Sequence, residues 1–216
     1  MKIILVTSQK GGSGKTMLTA HLAVEAERAG DTPICVIDTD RQGTLTRWHE
    51  RREAETPQRA DVRLEQIEAG LAMLANQGTE YCFLDTAPTI SDQTVSLVHL
   101  ADFVVIPVRP SPSDLWAVTE TVQLVKEAKK PFLFVITQAK PQASITAQAI
   151  AALSEHGRVA KSFIADRVGY ASAMTGGNTA PEITPRAPVA LEIANLWVEL
   201  KSCFPQIMKS RKVANG

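Results

Sequence analysis

The run TSQKGGSGKT, Thr7–Thr16, limits the fold of this chain more than any other feature. It overlaps the end of the apolar run KIILVTS at 2–8 and leads into a helical pattern that begins near Lys15. Between a strand and a helix, glycines let the backbone turn and bring its N–H groups onto phosphate oxygens, while the helix N-terminus adds its positive end. The phosphate-loop pattern is G-x-x-x-x-G-K-[ST]. Gly14, Lys15 and Thr16 fill its second half, but Gln9 stands where the first glycine belongs. Lys15 is expected to reach the β- and γ-phosphates of a nucleotide, and Thr16 to offer its hydroxyl to Mg²⁺. A second lysine, Lys10, precedes Gly11 and Gly12. Two ammonium groups so close repel until a polyanion arrives, so Lys10 implies a role conditional on nucleotide. Its stem is long enough to fold back onto the same phosphates or to extend to a nucleotide held by another subunit.

Beyond the loop, continuously apolar runs recur at 2–8, 33–38, 81–85, 103–108 and 131–137, the pattern of strands covered on both faces. Helical spacing lies between them. Leu18, Leu22, Ala26 and Ala29 mark one helix with Gly30 as its stop. Leu115, Val118, Val122 and Val125 mark another after the N-cap candidates Ser113 and Asp114, and Ile193, Leu196, Leu200 and Phe204 mark a last one. The charged segment 41–80 suggests a helix around Leu45 to Glu53 and a short strand at Val62 to Leu64. Buried strands alternating with amphipathic helices predict an α/β fold of the P-loop NTPase type: a mostly parallel twisted sheet with helices on both faces and ligands at the carboxyl ends of the strands. With no repeat or linker in view, residues 1–205 read as one domain and 206–216 as a polar, frayed tail.

Composition excludes several classes. The 216 residues are 44% hydrophobic and 21% charged, as in an ordinary globular domain. Lys plus Arg equals Asp plus Glu at 23 each, so attraction to nucleic acid or membrane must come from a local patch. Cys35, Cys82 and Cys203 are far apart and form no C-x-x-C pair, which points to small buried thiols in a reducing cytosol. No stretch approaches 18 apolar residues, the length of a membrane span. The chain therefore reads as cytoplasmic.

A phosphate loop needs carboxylates to steady Mg²⁺, normally at the end of a neighbouring strand. YCFLD ends in Asp85, and PICVIDTD supplies Asp38 and Asp40. If the strand stops at Asp38, Asp40 turns toward the γ-phosphate. One of that pair is then suited to hold metal-bound water and the other to orient the attacking water.

QKGGSGKT, VIDTDRQG and CFLDTAP together resemble the deviant Walker A ATPases of the ParA/MinD group, whose loop reads K-G-G-x-G-K-[ST]. The resemblance runs from Lys2 to about Trp197, and VIPVRPSPSDLWA at 105–117 is most similar to the short, ParF-like plasmid partition ATPases, which lack an N-terminal DNA-reading domain. It implies that Lys10 serves the partner's nucleotide across an ATP-dependent sandwich homodimer. It further implies that Lys15 and Thr16 bind phosphate and Mg²⁺, that Asp38 and Asp85 support the metal through water, and that Asp40 positions the hydrolytic water. Nucleotide contacts are then expected from Lys10, Gly11, Gly12, Ser13, Gly14, Lys15, Thr16 and Met17, with Gln138 and Pro181 on the adenine side. The RPSPSD run is expected at the dimer interface; from the residues alone, Pro110 and Pro112 indicate a stiff strand-to-helix turn. Two positions depart from the group: Arg41 replaces the usual proline of D-x-D-P-Q-G, and Gln138 replaces the Arg or Asn after FVIT.

By the same resemblance the protein partitions DNA. ATP builds a dimer that binds DNA non-specifically on the nucleoid, and a centromere-binding, ParB-like partner stimulates slow hydrolysis and releases it. Such binding needs a basic surface rather than a base-reading helix; the candidates are Arg158, Lys161, Arg167, Arg186, Lys201, Lys209, Arg211 and Lys212. The alternative is a MinD-like membrane-cycling regulator, which requires a C-terminal amphipathic anchor. LWVELKSCFPQIMKSRK carries Glu199 and Pro205, so packing on the core is the better account and no stable membrane association is expected. A metabolic relative, a synthetase or a cluster-bearing reductase, is a third class; cysteines placed in strands argue against the cluster.

Overall fold

The computed structural model describes residues 1–214, with side chains described through Phe204. Six strands, β1 (Lys2–Val6), β2 (Ile34–Asp38), β3 (Gln58–Arg59), β4 (Tyr81–Asp85), β5 (Phe103–Val108) and β6 (Phe132–Ile136), form one sheet in the order β3-β2-β4-β1-β5-β6. Every neighbouring pair is parallel. The helices are α1 (Lys15–Arg28), α2 (Thr44–Glu50), α3 (Ile67–Asn76), α4 (Asp92–Leu100), α5 (Pro112–Glu127), α6 (Ser144–Ser154), α7 (Val168–Thr175), α8 (Ala180–Ile183) and α9 (Pro188–Ala214). The expected α/β architecture is the observed one.

Strand alternation sorts the core into two layers. Ile4, Val6, Val36, Phe83 and Val105 face α1 and α9, with Leu18, Leu22, Leu196 and Trp197 above them. Leu5, Ile37, Leu84, Val104 and Ile106 face the other way, against Leu71 of α3, Val98 of α4, Val122 of α5 and Leu153 of α6. Because both faces are covered, the central strands show no polar alternation. Helix α1 is more deeply buried than a one-sided amphipathic reading suggests, since Thr19, Ala20, His21, Ala23 and Val24 are buried as well. The reason is that α7, α8 and α9 all pack on it. It stops at Gly30 as the sequence indicates, through bonds from Gly30 N to Glu27 O at 3.0 Å and from Asp31 N to Ala26 O at 3.0 Å.

Four local expectations need correction. Val62–Leu64 is not a strand: it leads into a 3₁₀ turn at Leu64–Gln66, and the edge strand is Gln58–Arg59. Val62 packs over Gly70 instead, where a Cβ on the glycine would lie 2.6 Å from Val62 Cγ1. The first strand ends at Val6, because Thr7 and Ser8 already belong to the loop. The helix expected to reach Glu53 closes at Glu50 with Arg51 as C-cap. Helix α5 is capped by Ser111, not Ser113 or Asp114, with Pro112 in its first turn, where a missing N–H costs nothing. All three cysteines are buried and free, as expected. Of the tail, side chains 205–216, including Lys209, Arg211 and Lys212, lie outside the described residues.

Candidate functional site

Strand register brings the candidate residues together. Val6, the last residue before the loop, lies level with Asp85 of β4, and Asp85 lies level with Asp38 of β2. Three adjoining strands thus release the phosphate loop and two carboxylates at one edge of the sheet. Gly14 takes the left-handed conformation, φ 91°, as N-cap of α1, which a side chain would disfavour. Thr137 Oγ1 donates to Ser13 O at 2.8 Å, and Gln138 Nε2 donates to Gly12 O at 2.8 Å, so β6 fixes the loop from its other side.

Lys15 is buried, and its Nζ donates to Lys10 O at 3.2 Å, curling back over its own loop. Burial pulls its pKa down while Asp85 and Asp40 oppose the shift. Thr16 Oγ1 donates to Asp85 Oδ2 at 2.6 Å, while Thr19 Oγ1 lies 3.0 Å from Lys15 O and 3.4 Å from Asp85 Oδ1, with one proton to give to either. Asp85 is 1% exposed. Burial, with Asp38 and Asp40 nearby, pushes its carboxyl up to about 7 against the opposing pull of Thr16 and Lys15. A site that so penalises its own negative charge is one a cation would relieve.

Asp38 is already engaged: Oδ1 accepts from Asp40 N at 3.0 Å and Oδ2 from Thr46 N at 2.8 Å. Asp40 lies past the strand end, with Oδ1 accepting from Gln42 N at 2.9 Å. Arg41 is exposed in that turn, which Gly43 N closes onto Asp40 O at 2.9 Å without the proline usual in the related pattern. The oxygen set of Thr16, Asp85 and Asp38 fits Mg²⁺, which takes one or two carboxylates plus substrate phosphates and waters rather than an all-protein cage. Ser13 Oγ is buried with no hydrogen-bond partner in the loop, a further polar group left unsatisfied there.

Beside the loop, a cleft of about 270 Å³ is lined by Gly14, Met17, Gln138, Ile164, Tyr170 and Met174, among others. Met17 and Gln138, both expected to contact a nucleotide, line this cleft. Pro181 is not among the residues lining this cleft; it is buried in α8, whose first turn is tied to α1 by Ala180 N donating to His21 Nε2 at 3.1 Å. His21 Nδ1 lies 2.9 Å from Met17 O, and burial holds the imidazole pKa down at about 4. Tyr170 and Met174, both on α7, were missed by sequence reasoning. The one available signal was weak: ADRVGYASAM lacks the long apolar period of the other helices. Arg167, expected on a DNA-facing surface, lines the same cleft and pairs with Glu192 at 2.8 Å. Lys10 is partly exposed at the loop's outer rim, and its ammonium forms no ion pair among the described residues.

A family model described as the CobQ/CobB/MinD/ParA nucleotide binding domain matches residues 4–180. The chain is 29% identical over 153 residues to the maintenance of carboxysome distribution protein A of Halothiobacillus neapolitanus, covering 66% of this chain and 69% of that one. It is 26% identical over 133 residues to the protein ParA of Rhizobium radiobacter, covering 60% of this chain and 59% of that one. Among solved structures, the MinD cell division protein of Aquifex aeolicus superposes with a TM-score of 0.75 at 17% identity, over 94% of this chain and 98% of that one. At that identity the superposition speaks for the fold.

Proposed function

The chain belongs to the CobQ/CobB/MinD/ParA nucleotide-binding family, and from that premise we propose that it is an Mg²⁺-dependent ATPase that partitions DNA as an ATP-dependent dimer. The observation that carries the proposal is the meeting of Lys15 and Thr16 with Asp38 and Asp85 at level strand ends. Lys15 would leave the Lys10 carbonyl for the β- and γ-phosphates. Thr16 and Asp85, now bonded to each other, would open to take Mg²⁺, with Asp38 supporting it through water. The metal supplies charge neutralisation at the phosphates. Asp40, on a turn beyond the sheet edge, would orient the attacking water. Lys10 at the loop rim would complete the pocket of a second copy, so that dimerisation and ATP binding are one event. Met17 and Gln138 would flank the base, with Tyr170 and Met174 as its apolar wall.

In this reading the ATP dimer binds DNA non-specifically, and a centromere-binding, ParB-like partner stimulates slow hydrolysis. Relatives support a role in positioning or partition: one is named for carboxysome distribution and another is a ParA. The basic candidates are unequal. Arg158 pairs with Glu199 at 3.4 Å, Arg167 with Glu192 at 2.8 Å and Lys201 with Asp31 at 2.6 Å. A DNA-facing patch would therefore draw more on Lys161 and Arg186, neither of which forms a salt bridge among the described residues. No helix of the described residues is long and apolar enough to cross a membrane. The test is ATP turnover with and without Mg²⁺ and random-sequence DNA, with gel shift on DNA run against co-sedimentation with anionic liposomes, each with ATP. The partition reading predicts ATP-dependent gel shift; liposome binding without DNA binding would instead favour the membrane-cycling alternative.

A further inference from the structure

Arg109, the residue after β5, is held in one orientation. Its Nε donates to Asp114 Oδ1 at 2.9 Å and its Nη2 to Asp114 Oδ2 at 3.1 Å, the side-on bidentate pair. Asp114 is itself fixed: it is buried, and its Oδ2 accepts from Ser111 Oγ at 2.6 Å. Burial pulls the Asp114 pKa upward, yet the bonds from Arg109 and Ser111 carry the carboxyl below its ordinary range. The pair consumes one edge of the guanidinium and leaves Nη1, with its two N–H groups, on the opposite side. That nitrogen turns to the phosphate loop, lying 3.4 Å from where a Cβ on Gly12 would be. It makes no hydrogen bond among the described residues. Arg109 also lines a cleft of about 480 Å³ with Gln138, the residue that holds Gly12 O.

We propose that Arg109 is a phosphate-binding residue: the Nη1 edge, aimed over Gly12 by Asp114, donates to the phosphate chain of the nucleotide held in the same subunit's loop. The inference rests on the nucleotide-binding reading of that loop. A planar guanidinium with one edge anchored and the other presented to an anion site loses little freedom when a phosphate arrives. This position also answers the missing first glycine of the loop. Where the ordinary pattern brings backbone close to the phosphates, Gln9 here is turned aside onto Glu120, at 2.6 Å, and the Arg109 side chain, just past β5, reaches the loop instead.

The test uses the full chain and ADP, which needs no second subunit. Titration with a fluorescent ADP should show Arg109→Gln binding about tenfold more weakly or worse, in line with the loss of a charge-assisted phosphate contact. Arg109→Lys, which keeps the charge but not the anchored fork, should fall between the two. A role confined to holding the first turn of α5 would lower the melting temperature of the nucleotide-free protein and leave the rise produced by saturating ADP unchanged; our inference requires that rise to shrink. If Arg109→Gln does not fold, Arg109→Lys carries the test by itself, and native ADP affinity in it would overturn the proposal. Unchanged ADP affinity with lost ATP-dependent dimerisation would also overturn it, by assigning Arg109 to the neighbouring copy. Failure of the native protein to bind ADP would overturn the nucleotide reading itself, a distinguishable result.

Discussion

Thr16 and Asp85 share a 2.6 Å hydrogen bond that ties the first turn of α1 to the end of β4. The acceptor is a carboxyl that burial has raised from 3.8 to about 7. Between those values the folded state binds a proton that the unfolded chain has released, so this group's contribution to stability falls as pH rises through the window. Asp85→Asn should therefore stabilise the nucleotide-free protein at pH 8, by at most about 4 kcal/mol, and give little advantage near pH 4. Urea melts at both pH values check this, and an equal effect at both would contradict it. The same variant should lose Mg²⁺-dependent turnover.

Gly177 should resist any side chain. Its φ is +76°, and a Cβ there would lie 2.4 Å from the carbonyl carbon of Arg51 and 2.5 Å from the nitrogen of Arg52. Those backbone atoms are held in turn, since Arg52 bonds Gly177 O at 2.8 Å and pairs with Glu182 at 2.8 Å. Gly177→Ala is predicted to cost about 3 kcal/mol or more, because strain at positive φ adds to a backbone clash. Thermal melting measures it; a loss under about 1 kcal/mol would show that the 51–52 turn yields.

Asp40→Ala should separate binding from turnover. Asp40 stands outside the Thr16–Asp85 bond, and its carboxylate accepts from Gln42 N of its own turn at 2.9 Å. Removing it should leave nucleotide binding intact and hold the protein as an ATP dimer on DNA. Single-turnover hydrolysis with a parallel gel shift tests this, and normal hydrolysis would remove Asp40 from the mechanism.

Much of this site was legible in the sequence because it is local. Glycines, lysine and hydroxyl in one loop, and carboxylates at the ends of apolar runs, need only the strand-to-helix pattern to be placed. Register, which made Asp38 and Asp85 level, is a property of the sheet and could only be anticipated. What stayed hidden depends on packing between distant segments. Tyr170 and Met174 line the cleft with Met17 and Gln138 because α7 lies against α1. Ser111 is the cap rather than Ser113 or Asp114 because its backbone is extended and its side chain accepts from Asp114 N. The strand expected at Val62–Leu64 is absent because Val62 packs into the notch over Gly70 instead.

The central claim is that ATP and a second copy bind together through Lys10. Light scattering coupled to size exclusion, run on native protein and Lys10→Ala with ATP and with ADP, tests it most directly. We predict a native dimer with ATP and a monomer with ADP, and a Lys10→Ala chain that binds ATP yet remains a monomer. A Lys10→Ala dimer of native strength, or a native protein that stays monomeric when saturated with ATP, would contradict the account.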